Sequence, residues 1–167
     1  MKVLIDLQGL QRDGNRERGI GRYCLELTKT LINCYPENEY TLFTNSALYD
    51  LRSNFSAELH DKNLNVNYFE CPIVGNINEI YVGRYSKFWF ATQLRSYALS
   101  IINCDIILIT SFFDGFRDNT LVHIDSDYEI PPIVSIIYDL IPLIHSDQYL
   151  DSDPEFKLFY LNKIKEI

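Results

Sequence analysis

Aliphatic runs that alternate with helical segments constrain the fold of this 167-residue chain more than any other feature. Two of the runs, at 106–109 and 133–137, consist almost wholly of β-branched or aliphatic residues, which is typical of parallel strands covered on both faces. The pattern predicts strands at 2–6, 40–44, 65–70, 105–110 and 133–138, and helices near 20–34, 46–59 and 84–102. We therefore predict an α/β fold, a Rossmann-like parallel β-sheet with helices on both faces.

Composition narrows the class of protein. An apolar content of 47% in 167 residues is enough for one globular core. Fifteen basic against 23 acidic side chains give a net charge of -8, which disfavours nucleic acid as a partner. The four cysteines show no C-x-x-C pair and no histidine at a co-ligand spacing, so we predict free, mostly buried thiols and no zinc site. With no secretory signal in the sequence, we expect a cytoplasmic protein.

Two glycines at the start of a predicted helix form a candidate anion site. A polar loop over 7–18 leads to Gly19 and Gly21, where exposed helix amides would suit a phosphate. The alternative is that these glycines only allow the chain to bend into the helix. The segment is not a dinucleotide fingerprint, because Cys24 replaces the third glycine and twelve residues separate Asp6 from Gly19. A nicotinamide cofactor is therefore not predicted.

Two loops that follow predicted strands mix apolar groups with carboxylates. They are 111–116, which begins Ser-Phe-Phe-Asp, and 139–145, which runs from Asp139 to His145. Ligands of parallel sheets bind beyond the carboxyl ends of the strands, so these loops are expected to line a cleft or to pack beneath another domain. For Asp139 a turn-capping role is an equal alternative. His145 is interpreted as a polar loop residue rather than a catalytic base, since no partner for it is evident.

The order of these segments resembles the N-terminal half of the retaining GT-B glycosyltransferases of family four. The residues that carry the likeness are Arg-Gly-Ile-Gly-Arg-Tyr at 18–23, Tyr-Asp-Leu-Ile-Pro-Leu at 138–143 and Tyr-Leu at 149–150. The resemblance implies that 1–150 form the acceptor-side domain, one half of a GT-B fold. Residues 151–167 would then begin a helix leading to a C-terminal donor-binding domain outside this chain. The fragment alone would be inactive.

The resemblance also implies roles for single residues. Asp139 would be catalytic. Relatives often have histidine before this aspartate, and a phenol in its place is no comparable proton acceptor near neutral pH. The implied donor phosphate and sugar contacts are Gly19, Gly21, Arg18 and Arg22, and the implied acceptor contacts are Ser111, Phe112, Tyr138 and His145. Neither a metal nor another cofactor is implied.

The implied substrates are a nucleotide sugar as donor and a saccharide or lipid-linked saccharide as acceptor. The transfer would contribute to a surface polysaccharide or O-antigen.

Two other functions fit parts of the sequence. The Asp-Ser-Asp triplets at 125–127 and 151–153 would suit a metal-dependent GT-A glycosyltransferase, which binds the donor diphosphate through a divalent ion. A non-enzymatic, flavodoxin-like binding module is the second alternative. Its distinguishing feature would be completeness: the natural chain would end at Ile167, and the isolated domain would bind a ligand or partner with its last helix docked onto its own sheet.

Basic and aromatic residues interleave over 83–90. We expect Arg84, Lys87 and Trp89 to form a peripheral contact with the inner face of the cell membrane, where both residue types are favoured. The alternative is that the aromatic residues here are core residues of a covering helix. Farther along, a helical core stripe is predicted at Phe90, Leu94, Tyr97, Ala98 and Ile101.

Overall fold

A computed structural model describes residues 1–59, 64–72, 86–123 and 127–167, without the side chains of 56–59. Its strands pair in parallel in the order β3-β2-β1-β4-β5. They are β1 (Lys2–Asp6), β2 (Glu39–Asn45), β3 (Val66–Cys71), β4 (Ile106–Ile109) and β5 (Ile133–Ser135). The predicted Rossmann-like parallel sheet is therefore confirmed.

Helices connect and follow the strands. They are α1 (Gln8–Gln11), α2 (Asp13–Arg16), α3 (Gly19–Cys34), α4 (Arg52–Leu59), α5 (Lys87–Ile101), α6 (Ile141–Ile144), α7 (Ser146–Tyr149) and α8 (Pro154–Lys165). Within the described residues, none of these helices is both long enough and apolar enough to cross a bilayer.

Two apolar clusters cover opposite faces of the sheet. Alternation along β1 divides its side chains between them: Leu4 packs in the cluster with Leu99 of α5, and Ile5 packs in the cluster with Cys24 of α3. β5 departs from the prediction of a doubly covered strand. It is an edge strand of three residues, and Val134 is 49% exposed.

Local differences from the predicted elements have physical causes. The expected loop 7–18 contains two single helical turns, α1 and α2, which close on backbone hydrogen bonds too short in sequence to leave a periodic pattern. The expected helix 46–59 begins only at Arg52, because the Asp50 carboxylate accepts a hydrogen bond from the Arg52 amide at 2.9 Å and stops the preceding turn.

The predicted core stripe on α5 is wrong except at Ala98. Ala98 is buried, whereas Phe90, Leu94, Tyr97 and Ile101 are all at least 36% exposed. The helix instead buries the neighbouring face, which contains Arg95 together with small and aliphatic residues. Apolar periodicity does not predict a buried arginine on that face, because the ion pair that Arg95 forms with Asp6 exists only in the folded sheet.

Candidate functional site

The first turn of α3 is open at Gly19. Arg18 and Gly19 are exposed, no side chain caps the helix, and no atom lies within 4 Å of the place where a Gly19 Cβ would be. The Arg18 amide itself donates to the Asn15 carbonyl at 2.9 Å, which fixes the direction in which the chain enters the helix. The site thus presents free helix amides to solvent.

Gly21 serves a different purpose from Gly19. It is buried, and a Cβ at this position would lie 2.3 Å from the Asn15 carbonyl oxygen and 2.8 Å from the Arg16 Cα. Only glycine lets α3 pack this closely against the backbone of α2. A purely structural role, the alternative considered for both glycines, therefore fits Gly21. The name α3 mouth is used for the open start of the helix, which consists of Arg18, Gly19 and Arg22 and does not include Gly21.

The arginines near the α3 mouth fall into two groups. Arg12 pairs with Asp114 and Asp118, both at 2.8 Å, and Arg16 pairs with Asp13 at 3.1 Å and lies 4.0 Å from the centre of the Tyr49 ring. Within the described ranges, Arg18 and Arg22 make no ion pair, and both are exposed. Two cations thus remain available to an anion.

Asp114 holds the loop that leads to the α3 mouth. Its Oδ1 atom accepts from Arg12 Nη1 at 2.8 Å and from Asn15 Nδ2 at 2.9 Å, and the side chain is only 4% exposed. Ser111 lies beneath the same loop: a Cβ added at Gly9 would lie 2.5 Å from the Ser111 Cβ. The loop after β4 therefore supports the site from inside the domain.

The predicted acceptor contacts Ser111 and Phe112 are buried. Ser111 is 4% exposed and Phe112 is fully buried, with Lys163 Nζ 4.5 Å from its ring centre. The next aromatic residue, Phe113, stacks on Tyr160 of α8 at 4.5 Å. The loop thus packs beneath α8 of the same domain, whereas a cleft or a contact with another domain was expected, and in this arrangement Phe112 has no surface to offer a saccharide.

Tyr138 joins the end of β5 to α3. Its hydroxyl donates to the Thr110 carbonyl at 2.8 Å and lies 3.1 Å from Cys24 Sγ, while its ring meets the Tyr23 ring edge to face at 5.6 Å. Burial, with Cys24 adding to it, holds the pKa of Tyr138 far above its ordinary value. The phenol is therefore a neutral group that fixes the chain after β5 against α3, directly before Asp139 in the sequence.

Asp139 is exposed, and one of its oxygens has a structural use. Oδ1 accepts from the Ile141 amide, two residues further along the chain, at 3.1 Å and so forms a turn just before α6. Its Oδ2 atom has no hydrogen-bond partner in the part of the chain that the structure describes. His145 is also exposed and lies between α6 and α7, away from any described side-chain partner. The structure thus gives Asp139 the predicted turn role and leaves one oxygen for another contact.

A buried ion pair anchors the carboxyl end of β1. Arg95 Nη2 and Asp6 Oδ2 lie 2.8 Å apart, with side-chain exposures of 1% and 0%. Asp6 also accepts from the Gln8 amide at 3.0 Å, and Arg95 also donates to the His123 carbonyl at 2.8 Å. This network fills the sheet end between β1 and α5 with the domain's own side chains.

α8 docks on the same network. Lys163 Nζ donates to the Val122 carbonyl at 2.8 Å and to Glu166 at 2.9 Å, and His123 Nδ1 lies 2.6 Å from the other Glu166 oxygen. Burial lowers the pKa of Lys163, although Glu166 opposes the shift. For Glu166, burial would raise the pKa, but the bond from His123 and the charge of Lys163 bring it below its ordinary value.

The aspartate triplets, Arg84 and the cysteines are the predicted features that lie away from the α3 mouth. Asp153 caps α8 by accepting from the Phe156 amide at 3.1 Å, and Asp151 accepts from Lys157 at 2.7 Å. The second aspartate triplet therefore has structural partners. Arg84 and the pair 125–126 lie outside the described residues. All four cysteines are free, and two of them are buried.

Sequence reasoning missed a cavity between the carboxyl ends of β2 and β3. It has a volume of about 150 Å³ and is lined by Thr44, Tyr68, Glu70, Asp50, Leu51, Arg52 and Gln11. The available signal was the alternation of Tyr68 and Glu70 on strand β3, which places both on one face.

Fold and site geometry together define a Rossmann-like α/β domain whose polar groups gather at the carboxyl ends of its strands. The chain is similar to the serotype-specific mannosyltransferase WbdA of Escherichia coli, with 29% identity over 171 residues, covering 99% of this chain and 20% of that protein. Two further Escherichia coli proteins of the same name are 40% identical over 76 and 77 residues, or 46% of this chain and 9% of each relative. The chain thus spans at most about a fifth of the length of these relatives. No protein-family profile and no solved structure matches it.

Proposed function

We propose that this chain is the N-terminal, acceptor-side domain of a retaining GT-B glycosyltransferase that transfers a sugar from a nucleotide-sugar donor to a saccharide. The observation that carries the proposal is the α3 mouth, an uncapped helix N-terminus flanked by two exposed arginines without ion pairs in the described residues. Similarity to a mannosyltransferase along 99% of the chain supports the same class of reaction.

The α3 mouth suits a diphosphate on electrostatic grounds. Helix amides and guanidinium groups stabilise phosphate oxygens by charge-assisted hydrogen bonds. The chain as a whole has a net charge of -8, so this local positive region differs from its surroundings. In the proposal, Arg18 and Arg22 hold the donor phosphates and neutralise the charge that develops on the leaving group, with no metal required.

Asp139 has the second role in the proposal. Asp139 directly follows Tyr138, whose ring packs on Tyr23 of α3, and in the proposal its Oδ2 atom faces the α3 mouth. There the carboxylate would accept a hydrogen bond from a sugar hydroxyl and orient the sugar beside the donor phosphates. His145 would contact the acceptor farther out, and Tyr138 would position Asp139 rather than bind the sugar itself.

Titration calorimetry with inorganic diphosphate tests the phosphate site. We expect the wild-type chain to bind it and Arg22→Ala to bind about tenfold more weakly, the equivalent of one lost charge-assisted hydrogen bond. Arg117→Ala is the matched control, because Arg117 is an exposed arginine held by Asp153 and Glu155. Equal binding by wild type and Arg22→Ala would overturn the assignment.

A peripheral membrane contact through α5 is part of the same proposal, together with a cytoplasmic location. Lys87 is exposed at the start of the helix, and the exposed apolar side chains Phe90, Leu94, Tyr97 and Ile101 follow it at spacings of three and four residues. Trp89 stacks edge to face on Phe90 at 5.0 Å and would enter the interface with it.

Co-sedimentation with anionic liposomes tests the membrane contact. We expect Phe90→Ser and Lys87→Glu to reduce the bound fraction, whereas Tyr149→Ser, at an exposed aromatic residue of α7, leaves it unchanged. Equal binding by all four proteins would contradict the contact.

A non-catalytic binding module is the second candidate, and one observation favours it. α8 docks on its own domain through Lys163, Glu166 and the ring stack of Tyr160 on Phe113. The two candidates differ in what the α3 mouth binds: a glycosyltransferase requires affinity for a diphosphate there, and a module of another kind does not.

A further inference from the structure

We propose that the cavity between the carboxyl ends of β2 and β3 binds one uncharged pyranose ring of the saccharide acceptor. The inference rests on the proposed glycosyltransferase function and supplies the acceptor contact that the buried Ser111 and Phe112 cannot provide. This β2–β3 cavity is lined by residues of α1, β2, β3 and the segment that leads into α4.

Strand register brings the polar groups of the cavity together. Tyr68 and Glu70 are two residues apart on β3 and so lie on the same face, and Glu70 pairs with Thr44 on β2. The start of α4 closes the other side with Asp50 and Arg52, which form an ion pair at 2.9 Å. An aromatic ring, two carboxylates and a guanidinium thus surround a single cavity.

The fold does not use several of these groups. In the described part of the chain, the Thr44 and Tyr68 hydroxyls and the Glu70 carboxylate have no hydrogen-bond partner. The Gln11 amide behind them, in contrast, donates to the carbonyls of Asn45 and Tyr49 at 3.0 and 2.8 Å. The unused groups can therefore bond a ligand without loss of internal contacts.

The chemistry of the lining favours a sugar ring over a phosphate. Each sugar hydroxyl donates and accepts, so it can donate to the Glu70 carboxylate and accept from Arg52. Two carboxylates against one guanidinium leave the cavity with a net negative charge, which repels phosphate oxygens. The half-exposed Tyr68 ring supplies the apolar surface on which the carbon-bound hydrogens of a pyranose can lie.

Size limits the ligand to one ring. A cavity of about 150 Å³ holds a single six-membered ring, and drug-sized ligands need roughly twice that volume or more. The open, polar lining admits a hydrated ring, whereas a closed apolar cavity of the same volume would select a hydrocarbon.

A nuclear magnetic resonance titration of the chain with methyl α-mannopyranoside tests the inference. We expect amide shifts at Thr44, Tyr68 and Glu70, and about tenfold weaker binding by Tyr68→Ala and by Glu70→Gln. Tyr68→Phe keeps the ring and should retain most of the affinity. The matched controls, Tyr35→Ala and Glu37→Gln, change exposed residues outside the cavity and should bind as wild type does.

The pyranoside titration can fail without contradicting the proposed donor site, and the diphosphate titration can fail without contradicting the cavity. Shifts confined to other residues, or equal affinity of wild type and Glu70→Gln, would overturn the pyranose site. A parallel titration with inorganic diphosphate reports on the α3 mouth alone. If diphosphate shifts Gly19 while the pyranoside leaves the β2–β3 cavity unchanged, the inference fails and the proposed donor site stands. The reverse result supports the cavity and refutes the donor site.

Discussion

Substitution of alanine at the two glycines of α3 should have opposite consequences, because one glycine is packed and the other is open. At Gly21 a Cβ would lie 2.3 Å from the Asn15 carbonyl oxygen, an atom of the main chain that cannot rotate away. Overpacking of this kind costs about 3 kcal/mol, and the helix propensity of alanine returns about 1 kcal/mol. The net loss of about 2 kcal/mol corresponds to a fall in Tm of roughly 4–8 °C for a domain of this size.

At Gly19 the same substitution meets no atom within 4 Å, so only the propensity gain remains. We expect Gly19→Ala to unfold at or slightly above the wild-type temperature. Thermal unfolding followed by circular dichroism measures both changes on one scale. Equal stability of Gly21→Ala and Gly19→Ala would show that the close approach of α2 to α3 does not exist in solution.

Two further predictions concern the carboxyl end of the sheet. Arg95→Met leaves the buried Asp6 carboxylate without its cation, and we expect the free energy of unfolding in urea to fall by about 3–5 kcal/mol. An Asp6→Leu/Arg95→Met double variant that is no more stable than Arg95→Met would contradict this. Because the pKa of Glu166 is lowered in the folded state, its stabilisation of α8 is fully present above about pH 4.5 and is lost as the pH falls through the lower folded value. The stability advantage of wild type over Glu166→Gln should therefore shrink in thermal melts below pH 4.5, and a constant advantage down to pH 2 would argue against the ion pair.

The sheet was predictable because aliphatic runs leave a strong local signal. The strand bounds 2–6 and 40–44 differ from β1 and β2 by at most one residue at each end, and α3 differs from its prediction by one residue. β5 was predicted to reach Tyr138 but ends at Ser135, although the Ile136 amide still donates to the Ile109 carbonyl at 3.0 Å and the Ile136 carbonyl accepts from the Phe112 amide at 3.2 Å. Hydrophobic pattern alone does not report where pairing ends.

The polar interior was not predictable from pattern. Arg95 and Lys163 carry charges that a hydrophobic pattern does not place in a core, yet both are buried against partners more than 40 residues away, at Asp6 and at the Val122 carbonyl. In the same way, the packing of Gly21 against α2 depends on a turn whose position no local signal gives. These interactions join residues far apart in the chain, and a single sequence shows the residue types but not which of them contact one another.

Candidate site residues were predicted where they follow a strand or open a helix. Gly19, Arg22 and Asp139 are exposed at such positions, whereas Phe112 follows a strand and is buried because α8 packs over it. Position at the carboxyl end of a strand thus identified the region, but the packing of a later helix decided which of its side chains remain accessible.

The free amides of the α3 mouth are proposed to bind the phosphates of the donor, and amide chemical shifts detect such binding residue by residue. With ¹⁵N-labelled chain and inorganic diphosphate, we predict the largest shift changes at Gly19 and Ile20, saturating with a single dissociation constant and declining as salt is added. Shift changes spread over unrelated lysines and arginines, with Gly19 and Ile20 unmoved at saturation, would contradict the claim.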